Sequence, residues 1–254
     1  MAKPVRFHAT TFSRSVIPTI NFIDLTDKVP LDVDFDRLIR TLQTFLDDCF
    51  VPAWGAPAKL IKGTKPKDRT WTFVFLDNPH SRDADGWHDI TKDGFPLSKV
   101  FVDQAIASDG SVSITACHEL CEMLIDPTAT MWVDGPRGTV WSYEVCDACE
   151  EVTFPIDGMR MSDFCYPAYF EVFRLKHPRR LRTQYDYCNK ITKPFQILKG
   201  GYSDYMRGGK FTEKTGSKAK ARRFAVEDRS YHRSEFRKYG ARAAHMRVLP
   251  KRQA

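Results

Sequence analysis

Apolar and polar positions alternate through Ile17-Pro18-Thr19-Ile20-Asn21-Phe22-Ile23-Asp24-Leu25, a period of two that predicts a β-strand. The period then changes. From about Asp36 to Cys49, Leu38, Ile39, Leu42, Phe45 and Leu46 recur at spacings of three and four without a breaker, which predicts a helix capped by Asp32 or Asp34 and ended soon afterwards by Pro52. Ala58–Lys62 and the β-prone Trp71–Leu76 read as strands separated by a Lys-rich turn. Asp77 to Pro96 reads as a loop and Ser98–Asp103 as a further strand. Ser111–Asp126 reads as a second helix, capped by Ser111 or Ser113 and stopped by Pro127. Strand, helix, three strands and helix in this order predict an α+β fold.

Beyond Asp126 the apolar pieces are short and rich in turn residues, among them Ser142–Val145 and Val152–Gly158, and from Gly200 the chain becomes rich in Gly and Lys/Arg. No internal repeat is visible. The expected organisation is an N-terminal arm over 1–16, one domain over 17–205 and a basic C-terminal tail over 206–254. With 254 residues, 42% of them hydrophobic and 13% aromatic, the chain can bury one substantial core.

The net charge of +7 is unevenly placed. Residues 207–254 carry 15 Lys+Arg against 4 Asp+Glu, so the remainder is net acidic. Such a tail suits a nucleic-acid backbone or an acidic protein surface, and equally a solvated extension. No run approaches the roughly 18 consecutive apolar residues of a membrane span, and Met1–Arg6 lacks the apolar stretch of a secretory signal. A cytoplasmic protein without a membrane partner is the expectation. The seven cysteines, an odd number in a chain of this size, read as reduced thiols.

The second helix carries the chemistry. Ile114-Thr115-Ala116-Cys117-His118-Glu119-Leu120-Cys121-Glu122-Met123-Leu124-Ile125 is apolar on nearly every side, so its ionisable groups need compensation. Burying them costs on the order of several kcal/mol unless they are paired or bound to a metal. His118 and Glu122, four residues apart, project from one face and can grip one ion. This is the i, i+4 ligand spacing of the H-E-x-x-H zinc peptidases, in which the intervening Glu, here Glu119, takes a proton from the attacking water. Glu122 stands where that motif has its second His, which makes the set more anionic and admits manganese besides zinc. Glu144 and Asp147 are the candidates for a third ligand, while Asp126 and Tyr143 are candidate supports behind the ligands. The alternative is a buried histidine bonded to a carboxylate, with no ion. Cys117-x-x-x-Cys121 and Cys146-x-x-Cys149 offer a further alternative, a four-thiolate structural zinc site.

The run His118–Pro127, followed by Tyr143-Glu144-Val145-Cys146-Asp147, Ser162-Asp163-Phe164 and Pro167-Ala168-Tyr169-Phe170, resembles uncharacterised proteins of phages, prophages and bacteria that look like zincin-type metallopeptidases in an H-E-x-x-E variant. The resemblance covers roughly residues 15–205 and implies a mixed twisted sheet beside an active-site helix. It further implies a peptide or protein substrate that pairs with a sheet edge near Val100-Phe101-Val102, with Tyr143 or Tyr166 near the developing oxyanion. A metallopeptidase hydrolysing peptide bonds is the expected activity. An inactive zincin-fold structural or virion protein, assembled into a phage particle from host cytoplasm and using its basic tail to bind, is the alternative.

Overall fold

The computed structural model describes residues 17–67, 70–77, 85–91, 93–176 and 183–216, so the expected arm and the tail beyond Gly216 lie outside the described residues. The fold is α+β. Strand β1 (Thr19–Asp24) leads to helix α1 (Phe35–Phe45), whose first turn is closed by Asp34 accepting the Arg37 N–H at 2.7 Å. Leu38, Ile39, Leu42 and Phe45 face the core, as their spacing predicts. The helical path outlasts the expected stop at Pro52. It widens through one π turn at Leu46–Phe50 and ends in a short turn, α2 (Val51–Trp54), closed by Gly55 at φ 64°.

Strands β2 (Lys59–Gly63), β3 (Trp71–Leu76), β4 (Gly86–Ile90) and β5 (Pro96–Phe101) join β1 in one sheet of order β2-β1-β3-β5-β4. All neighbours run parallel except β4, which lies antiparallel to β5 at the edge. The loop expected over 77–96 thus contains a strand, and the sheet edge is β4 where the strand around Val100 was expected. Only five residues long and with Gly86, His88 and Asp89 among them, β4 has little apolar pattern of its own. Pairing Gly86 with Val100 and His88 with Ser98 fixes it instead. The chain turns at Val102 into helix α3 (Val102–Asp109) and then into α4 (Val112–Ile125).

Ser111 caps α4 by accepting the Ser113 N–H at 3.3 Å, and Asp32 accepts the Val112 N–H at 3.1 Å. Of the two aspartates read as caps for α1, Asp34 performs that task and Asp32 serves α4. Every residue of α4 except Ile125 is buried. The helix lies on β4 and β5, with the Ser98 hydroxyl reaching Met123 Sδ at 3.2 Å. Gly86 makes that approach possible: a Cβ there would meet Lys99 O at 2.7 Å, Thr115 Cγ2 at 2.9 Å and Glu119 Cγ at 3.0 Å.

The same face of the sheet carries Phe22 and Phe73, stacked at 4.4 Å, and the core continues through Phe45, Phe50 and Phe164. The hairpin β6 (Trp132–Asp134) to β7 (Val140–Ser142) belongs to a second, antiparallel sheet completed further along the chain. A two-stranded hairpin, β8 (Thr153–Ile156) and β9 (Met159–Ser162), covers α4, where Ser113 Oγ donates to Arg160 O at 2.8 Å. Strands β10 (Tyr202–Arg207) and β11 (Lys210–Thr215) complete the second sheet in the order β11-β10-β7-β6. This last hairpin runs across the boundary expected at residue 205. No helix among the described residues is long and apolar enough to cross a membrane.

Candidate metal centre

Two residues of α4 and one loop residue converge at its buried face. His118 Nε2 lies 3.2 Å from Glu122 Oε1 and 3.2 Å from Asp147 Oδ1. The helical spacing aligns the first two, whereas Asp147 is delivered by a 3₁₀ turn, Asp147–Cys149. That turn is fastened from several sides: Cys146 N–H donates to Glu122 Oε1 at 3.3 Å, Cys165 N–H to Val145 O at 2.7 Å and Leu198 N–H to Ala148 O at 2.9 Å. Gly201 lies against it so closely that a Cβ would come to 2.6 Å from Ala148 O.

A second histidine, not identified from the sequence, enters from β4. His88 shares the α4-facing side of the strand with Gly86, two residues earlier, and is 1% exposed. Its Nδ1 lies 3.7 Å from Glu119 Oε2 and 3.6 Å from Glu122 Oε2, and its Nε2 lies 3.6 Å from Glu144 Oε2. Three sets of ligand atoms, each mutually within 4.8 Å, therefore adjoin one another: His118, Glu122 and Asp147; His88, Glu119 and Glu122; and His88, Asp126 and Glu144.

Of the two candidates for third ligand, Asp147 joins His118 and Glu122, while Glu144 lies with His88. Asp126 accepts the Thr130 and Met131 N–H groups at 3.0 and 2.9 Å and lies beside His88 and Glu144. Tyr143 is placed otherwise. Its ring packs on Phe170 at 4.6 Å and Trp54 at 5.8 Å, and burial with the Glu171 carboxylate pushes its hydroxyl up to about 12. Tyr166 stacks edge-on against Phe164. Neither contact set links these tyrosines to the candidate ligands.

Burial on its own would lower the basicity of His118. The Glu122 and Asp147 carboxylates outweigh it and hold the imidazole well above its usual range. Burial likewise opposes ionisation of Glu122, yet His118, and His88 behind it, hold that carboxyl well below the usual range. The groups are thus poised as an anionic cage around imidazoles. Glu122 is 0% exposed, and its Oε2 forms no hydrogen bond.

All seven cysteines are free thiols. Cys121 neighbours Cys117 and Cys146, but Cys149 turns to Cys165, and burial first of all raises the Cys121, Cys146 and Cys149 thiols. The three ligand sets among the described residues contain no cysteine, so the four-thiolate alternative is not assembled. Compared with protein-family models, curated proteins and solved structures, the chain matches none.

Proposed function

We propose that this chain is a zincin-like metallopeptidase whose ion, zinc or alternatively manganese, is held by His118, Glu122 and Asp147. The observation that carries this reading is a buried imidazole nitrogen lying 3.2 Å from each of two carboxylate oxygens, all three atoms within 4.8 Å of one another. Ligands at about 2.0–2.2 Å from a tetrahedral ion stand about 3.3–3.6 Å apart, and somewhat closer around an octahedral one, so the set fits. Glu122 Oε2, buried and 3.6 Å from His88 Nδ1, supports the same conclusion, because a contact of that length compensates a buried carboxylate oxygen less than a bound cation would.

An ion held by His118, Glu122 and Asp147 would supply Lewis acidity toward the scissile carbonyl and the attacking water. Glu119, one residue from His118 on α4 and 4% exposed, receives the water proton on its carboxylate and passes it to the leaving amine nitrogen. Strand β4 supplies the substrate dock. Its side away from β5 carries no strand among the described residues, so an extended peptide can pair with its backbone beside Glu119. The antiparallel edge strand packed on the ligand-bearing helix supports a zincin-like arrangement.

The test is metal content together with hydrolysis of an unstructured polypeptide by the zinc-loaded chain. Bound zinc and cleavage are expected in the wild type, and loss of both in His118→Ala. Full metal retention in that variant, or no cleavage by fully loaded protein, overturns the assignment.

A further inference from the structure

We propose a second cation site beside the first, formed by His88 Nδ1, Glu119 Oε2 and Glu122 Oε2, so that Glu122 bridges two divalent ions. The proposal builds on the metal centre at His118 and extends it. Glu122 uses Oε1 toward His118 and the Cys146 N–H, while Oε2 points the other way, toward His88. At 3.6 Å the Oε2 to Nδ1 separation is too long for a hydrogen bond, but it is the edge length expected between two ligands of one ion at about 2.1–2.2 Å. The 3.7 Å separation between His88 Nδ1 and Glu119 Oε2 repeats that spacing.

Charge points the same way. Glu119, Glu122, Asp126, Glu144 and Asp147 place five carboxylates in one buried neighbourhood, and its ion pairs run to two histidines. With both imidazoles neutral as ligands must be, a second divalent ion would balance more of this negative charge than one ion alone. Glu122 Oε2, fully buried and without a hydrogen bond, is aimed into the gap that the second ion would fill. Glu119 offers Oε2 there, and the two-ion arrangement would clamp the attacking and leaving sides of a hydrolysed bond. Glu144 then supports His88 from its Nε2 side, with Asp126 nearby.

The full chain is stripped with chelator, reloaded with Mn²⁺, and examined by elemental analysis and low-temperature EPR. Two ions per chain with an exchange-coupled signal are expected, and His88→Ala should reduce this to one ion with the sharp hyperfine pattern of an isolated centre. One isolated ion in the wild type overturns the second site and leaves the His118 centre standing. No bound ion overturns both, and two uncoupled ions overturn the Glu122 bridge. The wild-type measurements decide the matter should His88→Ala fail to fold.

Discussion

Gly86 and Glu119 meet where the sheet edge crosses the helix: a Cβ on the glycine would stand 3.0 Å from the glutamate Cγ. It would also press on Lys99 O at 2.7 Å, a backbone atom that cannot rotate away. Gly86→Ala is therefore expected to cost about 1–3 kcal/mol of stability and to lift β4, with His88, off α4. Denaturant unfolding and a metal titration should both weaken. Unchanged values would contradict so close an approach.

Glu119→Gln keeps the shape of the side chain but removes its basicity. Peptide hydrolysis should fall by about 10²–10⁴-fold while the ion held by His118 is retained. Turnover at the wild-type rate would remove Glu119 from the reaction.

Because the ligand set forms only in the folded chain, an ion binding there must raise stability. At a free concentration of about 100 times Kd the gain is about 2.7 kcal/mol. Thermal melting with zinc should lie above melting with chelator, and His118→Ala should abolish most of the difference. Coincident melting curves for the wild type would exclude binding specific to the folded state.

Asp163, which belongs to none of the candidate ligand sets, gives a pH dependence of its own. Burial and the adjoining Asp186 carboxylate push it up to about 8 from 3.8. Between those values the folded chain holds a proton that the unfolded chain has released, so stability must fall as pH rises across the window. The benefit is complete below about 4 and gone above about 8, a change on the order of a few kcal/mol. Asp163→Asn cannot ionise and retains an acceptor for the Phe164 and Cys188 N–H groups. Urea unfolding at about pH 5 and about pH 8.5 should show a smaller loss for the variant than for the wild type. Equal losses would assign the dependence to other groups.

The segment 217–254 carries 12 Lys+Arg against 3 Asp+Glu, and its removal spares β11. Wild-type chain should bind a polyanion such as heparin with an affinity that drops steeply with salt, and the truncated chain should lose that binding. Retained binding would place the polyanion surface elsewhere.

The parts of the site that obey a period were legible in the sequence. His118 and Glu122 stand four apart in an apolar run, and α4 brings Nε2 of one to 3.2 Å from Oε1 of the other. Asp147 and Glu144 could not be told apart as the partner of His118, because irregular chain has no period by which to aim a side chain. His88 was missed for a related reason: its strand owes its existence to hydrogen bonds with β5 and to the absence of a side chain at Gly86, neither of which leaves an apolar signature. The short run Gly86-Trp87-His88-Asp89-Ile90 before a second strand was the available clue. Helix starts were read better than helix stops or strand edges, since Asp34 and Ser111 act locally, whereas the path after Phe45 runs on past Pro52 and Asp32 reaches Val112 from far along the chain.

The turn bearing Asp147 rests against Leu198 and Gly201, which the ribosome delivers about fifty residues later. A nascent chain halted between them would present His118 and Glu122 on a finished helix while the loop opposite still lacked its backing. Competence to capture an ion would then arrive late in synthesis, as a single event tied to the docking of that distant segment.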